Sequence, residues 1–231
     1  MAATVKVVGP MQRFELVIFD NDGVVVDSEP LATLAMSETL RSLGHHMTAA
    51  EIDEQLKGGT LARTRQVLEG RFGPLPANFE AAYTERLYEL MNERLHPVAG
   101  IEHVLDTLDV AGLPYCLASS GHRARVLFAL QAVGLASRFE GRYWGAEDVA
   151  RGKPAPDLFL LAASSMGKAP GSCVVIEDSE LGLQAARAAG MAVFGFAART
   201  PPERLAAADV VFKDMAELPA LIFGPPASTA T

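Results

Sequence analysis

Short apolar runs alternate along most of the chain with longer stretches in which apolar residues recur every three or four positions. Leu16-Val17-Ile18-Phe19 is a nearly continuous apolar run, the pattern of a strand buried on both faces of a parallel sheet. Similar runs predict strands over 113–119, 173–176, 192–196 and 209–212. Helical spacing predicts helices over 31–43, 101–111, 123–133, 158–166, 181–189 and 215–223, with Gly44 and Gly190 as natural stops. From about Thr48 to Leu95 no strand-like run occurs. Stretches 49–57, 61–72 and 79–95 read as amphipathic helices, separated by Gly58-Gly59-Thr60 and by Gly73-Pro74-Leu75-Pro76. An all-helical block between strands predicts a small inserted domain, and the alternation around it predicts a parallel sheet wrapped by helices. Residues 1–13 and 224–231 read as flexible termini.

Composition narrows this picture. A chain of 231 residues suits one large domain, or a core with a smaller insertion, and 49% hydrophobic residues are enough to bury a full core. The net charge of -8 argues against a general binder of nucleic acid or of anionic membranes, though not against a phosphorylated small molecule. No run is long enough to cross a bilayer, and the first 13 residues lack the apolar core of a signal peptide. Cys116 and Cys173 lie in separate apolar runs. They offer neither a zinc spacing nor a disulfide framework, which points to a reducing cytoplasm.

In such sheets ligands bind beyond the carboxyl ends of the strands, so the residues there are read together. The first strand ends in Asp20-Asn21-Asp22-Gly23, the second in Ser119-Ser120-Gly121-His122, and the third in Glu177-Asp178-Ser179. Between the last two lies Arg151-Gly152-Lys153-Pro154, where proline stiffens the loop that carries Lys153. Carboxylates emerging together from a buried strand are costly without a cation. Asp20, Asp22, Glu177 and Asp178 offer hard oxygens that suit Mg²⁺. One carboxylate can attack phosphorus while its neighbour handles protons. Ser119, Ser120 and nearby backbone N–H groups can bind phosphoryl oxygens at the start of a helix, and Lys153 can offset charge repulsion there. Taken singly, each has a plainer reading: Asp20 and Asp22 capping a turn, Ser119 and Glu177-Asp178 starting helices, and Lys153 as a solvated charge. Four such clusters at adjoining strand ends favour the joint reading.

The four clusters resemble the motifs of the haloacid dehalogenase superfamily, in its capped phosphatase and β-phosphoglucomutase-like branch. The likeness runs from about Glu15 to Leu221. It implies an α/β fold, a Rossmann-like parallel-sheet core (14–29 and 98–223) with an inserted all-helical cap domain (30–97). It implies Asp20 as nucleophile, Asp22 as general acid/base, and Ser119 and Lys153 as phosphoryl ligands. Mg²⁺ would be held by the Asp20 side chain, the Asp22 carbonyl and Asp178, with Glu177 assisting directly or through water.

Asn21 departs from the family, which more often has an apolar residue or cysteine there, and Val24 stands where threonine is frequent. Dehalogenating relatives lack the second aspartate, so Asp22 favours phosphoryl transfer. Lys57 and Arg63, flanking the Gly58-Gly59-Thr60 turn, are either contacts for a second anionic group or ordinary helix charges. The expected activity is Mg²⁺-dependent hydrolysis of small phosphorylated metabolites, sugar or sugar-acid phosphates, through an aspartyl-phosphate, by a cytoplasmic monomer or weak dimer. The alternative is a β-phosphoglucomutase-like sugar phosphomutase. It is weakened because Thr60 is followed by Leu61 rather than arginine, and because the hinge reads Asp27-Ser28-Glu29.

Overall fold

The computed structural model describes residues 14–56 and 61–224. It divides into two compact units, Met1–Val26 with Pro97–Thr231, and Asp27–His96. The expected flexible termini fall largely, and Lys57 with the Gly58-Gly59-Thr60 turn entirely, outside the described residues.

The first unit is built on six parallel strands: β1 (Leu16–Phe19), β2 (Tyr115–Ala118), β3 (Tyr143–Trp144), β4 (Cys173–Glu177), β5 (Ala192–Phe196) and β6 (Val210–Phe212). Their order is β3-β2-β1-β4-β5-β6. The chain therefore builds outward from β1 to one side, then returns to β1's other edge, a Rossmann-like arrangement with β1 at the reversal of strand order. Phe19 is in register with Leu117 on one side and Ile176 on the other, so β1, β2 and β4 end at nearly the same level.

Leu16, Ile18, Cys116, Cys173 and Val175 pack with Leu158, Phe159 and Ala162 of α7 (Asp157–Ser165) and with Leu183 and Ala186 of α8 (Glu180–Ala188). The alternating residues Val17, Phe19, Tyr115 and Leu117 are buried too. A sheet covered on both faces needs an apolar residue at every position, which is why these strands read as runs rather than alternations. The unit is completed by α5 (Ile101–Ala111), α6 (Arg123–Ala132) and α9 (Leu218–Phe223).

The second unit holds α1 (Glu29–Ser42), α2 (Ala49–Leu56), α3 (Leu61–Phe72) and α4 (Phe79–Arg94). Met36, Leu40, Met47, Ile52, Leu56, Leu68, Leu75 and Phe79 form its core. Arg65 braces it, donating to Glu69 and Glu80 and to the carbonyls of Leu75 and Pro76.

Several boundaries differ from expectation for local reasons. α1 begins at Glu29 because Pro30 fits a first helical turn, where no N–H is needed. β2 begins at Tyr115, after Pro114, whose carbonyl accepts from Val17. The last helix opens as a 3₁₀ turn over Met215–Glu217, capped by Asp214, before α9 starts. The two-residue β3 lies outside the strands that the apolar runs predict. No described helix is long and apolar enough to cross a membrane.

Candidate active site

The carboxyl ends of β1 and β4 bring three carboxylates together. Single oxygens of Asp20, Glu177 and Asp178, all buried, lie within 4.8 Å of one another. Asp20 follows directly on β1, and its N–H donates to the Ile176 carbonyl. Lys153, whose side chain is only 3% exposed, enters from the loop before α7. Its Nζ donates at 2.6 Å to both Asp20 Oδ1 and Glu177 Oε1, and stands 4.7 Å from the ring centre of Phe159. The Lys153–Pro154 peptide is cis.

Burial pushes the Asp20 carboxyl well above the ordinary aspartate range; Lys153 opposes that shift, while the neighbouring charges of Glu177 and Asp22 add to it. For Lys153, burial works against the charged form, but Asp20 and Glu177 outweigh it and hold the ammonium above its usual range. The other oxygen of Glu177 accepts from both the N–H and the hydroxyl of Ser179, which in turn caps α8 through Gly182. Glu177 is thus fixed at both ends.

Ser119 is fully buried beyond the end of β2, its Oγ accepting from the Gly121 N–H. Ser120 is exposed beside it. The Asp22 carboxylate lies outside the oxygen cluster and is held by Arg125 of α6, through contacts of 2.9 and 2.7 Å. Asn21 is buried, with neither amide atom hydrogen-bonded among the described residues, while its carbonyl accepts from Val24, Val25 and Val26 to close the loop. Arg63 is exposed on α3 of the helical unit.

The donor set fits a divalent cation. It consists of hard carboxylate oxygens, it is buried, and Lys153 pairs with Asp20 and Glu177 within it. The rise in the Asp20 pKa comes first from burial, with the charges of Glu177 and Asp22 adding to it, and a bound cation would oppose both.

Comparison with known proteins identifies the family. Residues 14–190 match the family model described as haloacid dehalogenase-like hydrolase. The chain belongs to that family. Among its relatives are a probable pseudouridine-5'-phosphatase of Drosophila melanogaster, 36% identical, with the match covering 92% of this chain and 94% of that protein. A fructose-1-phosphate phosphatase of Escherichia coli (strain K12) is 34% identical over 78% of this chain and 95% of its own. A solved haloacid dehalogenase family hydrolase from Deinococcus radiodurans R1, with bound phosphate and sodium, superposes with a TM-score of 0.79 at 30% identity, covering 91% of this chain and 96% of that one.

Two residues beside the candidate site groups carry little signal in the sequence. Arg125 is an ordinary helix cation until the fold brings it to Asp22. Gly182 is an isolated glycine in a helical pattern, a signal that often marks close packing. A Cβ there would overlap the Glu177 carboxyl group.

Proposed function

We propose that this hydrolase releases phosphate from small phosphorylated metabolites, sugar or sugar-acid phosphates among them, through an aspartyl-phosphate on Asp20. The enzyme is a phosphoric monoester hydrolase. The observation that carries the mechanism is Lys153 bridging Asp20 and Glu177 at 2.6 Å in a buried pocket of carboxylates at adjacent strand ends. Relatives named as phosphatases of fructose 1-phosphate and pseudouridine 5'-phosphate support the substrate class.

Asp20 would attack phosphorus as the ester bond breaks, with Asp22 giving its proton to the departing alcohol oxygen. Water then attacks the aspartyl-phosphate and yields its proton to Asp22, which restores both carboxyl groups and releases inorganic phosphate. Ser119, the backbone around Ser120, and Lys153 would bind the phosphoryl oxygens. Asp20, Asp178 and the Asp22 carbonyl would hold Mg²⁺, with Glu177 acting chiefly by fixing Lys153, since protein donors already meet both of its oxygens. Bound there, the ion would neutralise charge on the phosphoryl oxygens. The helical unit is the candidate cap and source of substrate selection, with Lys57 and Arg63 as its candidate cations. Two buried free thiols, Cys116 and Cys173, suit a reducing cytoplasm.

The test is phosphate release from fructose 1-phosphate, 6-phosphogluconate, pseudouridine 5'-phosphate and hexitol phosphates, with Mg²⁺ and with chelator. At least one ester should be turned over in a Mg²⁺-dependent way, and Asp20→Asn should abolish turnover while the protein stays folded. Undiminished activity in that variant would refute the nucleophile.

A further inference from the structure

Asp22 and Arg125 meet as a planar fork: Nη1 donates to Oδ1 at 2.9 Å and Nη2 to Oδ2 at 2.7 Å. Both side chains are about a quarter exposed, so the pair is neither deeply buried nor freely solvated. Two parallel charge-assisted bonds fix a carboxylate's plane as well as its position, which a lysine ammonium does not do. The room for this fork comes from Gly121. A Cβ there would lie 2.5 Å from Arg125 Nη2 and 2.9 Å from its Nε. The backbone of Gly121 is not in the left-handed region, so the space and not the torsion angle requires glycine.

Asp22 lies two residues from Asp20 and near enough for its charge to be felt there. An untethered Asp22 carboxylate has an obvious alternative: to join the oxygens of Asp20, Glu177 and Asp178, or to compete for Lys153. Among the described residues it does neither in this structure; it is outside that cluster and on Arg125.

We propose that Arg125 is a positioning residue that holds Asp22 apart from the Asp20–Glu177–Asp178 cluster and aligned for proton transfer, with Gly121 as the gap that admits its guanidinium. This rests on the proposed role of Asp22 as general acid/base. The fork engages both oxygens and holds Asp22 as the carboxylate; to act as acid, one oxygen leaves its Arg125 contact, takes up a proton and gives it to the departing alcohol oxygen, while the other stays on Arg125.

The consequence is selective. Phosphoryl transfer from 4-nitrophenyl phosphate expels a stable anion and needs little protonation, whereas phenyl phosphate depends on the acid. In Arg125→Ala, kcat/KM for phenyl phosphate should fall roughly tenfold more than for 4-nitrophenyl phosphate, a part of the roughly 10²–10⁴-fold that general acid catalysis supplies. Arg125→Lys should recover some of this selectivity. Gly121→Ala should reproduce the Arg125→Ala phenotype, and should add nothing to it in the double variant. A merely structural loss would lower both substrates equally. Asp22→Asn is the control: if it too affects both esters equally, the reading of Asp22 as acid fails. If Asp22→Asn is selective and Arg125→Ala keeps the wild-type ratio, the positioning role alone is refuted. Independently of turnover, a crystal structure of Arg125→Ala should show the Asp22 carboxylate turned toward Asp20 and Lys153. An unmoved carboxylate would overturn the inference.

Discussion

Gly182 sits inside α8, where glycine costs about 1 kcal/mol relative to alanine, so on helix propensity alone Gly182→Ala should stabilise the protein. The methyl group, however, would occupy the space of the Glu177 carboxyl, which Lys153 and Ser179 hold from both sides. Displacing it leaves a buried ammonium with one partner fewer, and breaking a buried ion pair typically costs about 3–5 kcal/mol. Sterics outweigh propensity. Gly182→Ala should therefore lower the unfolding temperature and sharply reduce phosphate release; an unchanged or higher melting point with full turnover would refute the account. Residues at the ends of apolar runs were readable as site candidates, because a carboxylate or lysine placed there demands an explanation. The structure gathers Asp20, Lys153, Glu177 and Asp178 within direct reach of one another. Arg125 was not readable, because its partner lies 103 positions away and nothing in its own neighbourhood marks it. The Glu177 carboxyl's need for Gly182 is likewise a matter of side-chain volume across the strand-to-helix turn, which linear pattern does not record.

Elements with a full period were legible and those without one were not. The spans of α3, α5 and β5 coincide with the apolar spacing that predicts them, whereas the two residues of β3, Tyr143–Trp144, carry no period at all. Helix ends follow specific chemistry more than hydrophobic pattern, as α2 illustrates. Thr48 Oγ1 accepts from the Glu51 N–H, while Glu51 accepts from the N–H and hydroxyl of Thr48, and Arg71 of α3 donates to its other oxygen. Led by the Thr48 N–H and then Arg71, these donors lower the Glu51 carboxyl from 4.5 to about 2. A depressed folded-state value means that the box contributes stability above the unfolded value and loses it as pH falls through the folded one. The stability advantage of the wild type over Glu51→Gln should be complete near neutral pH and should shrink on acidification between 4.5 and about 2. Comparing their melting temperatures across that range tests it; a pH-independent difference would show that the Glu51 charge does not hold the helix start.

At the scale of the whole molecule, strand order explains why residues so distant in sequence share one site. With β2 and β4 flanking β1, Asp20 and Ser119, just beyond their strands, and Glu177, the last residue of β4, all lie at the same edge of the sheet. The chain as a whole is acidic, at -8, and the site itself concentrates carboxylates, so an anionic phosphate ester would meet repulsion without a local reversal of charge. In the proposed mechanism Lys153 would supply part of that reversal and Mg²⁺ the rest. An ion that binds only the folded form stabilises it by about 2.7 kcal/mol at a free concentration near a hundred times its Kd. For a chain of this size that corresponds to roughly 5–10 °C in melting temperature. Metal-free protein should therefore melt higher on addition of Mg²⁺, in a concentration-dependent way. Asp178→Ala should abolish the shift, because that carboxylate leaves the donor set without removing the nucleophile. Ca²⁺ should also raise the melting temperature but support phosphate release poorly, since its larger, more flexible coordination shell can draw both oxygens of Asp20 away from attack. The two readouts separate binding from catalysis. A Mg²⁺-induced shift of wild-type size in Asp178→Ala would place the ion elsewhere, and full turnover after verified removal of all divalent ions would show that Lys153 suffices alone.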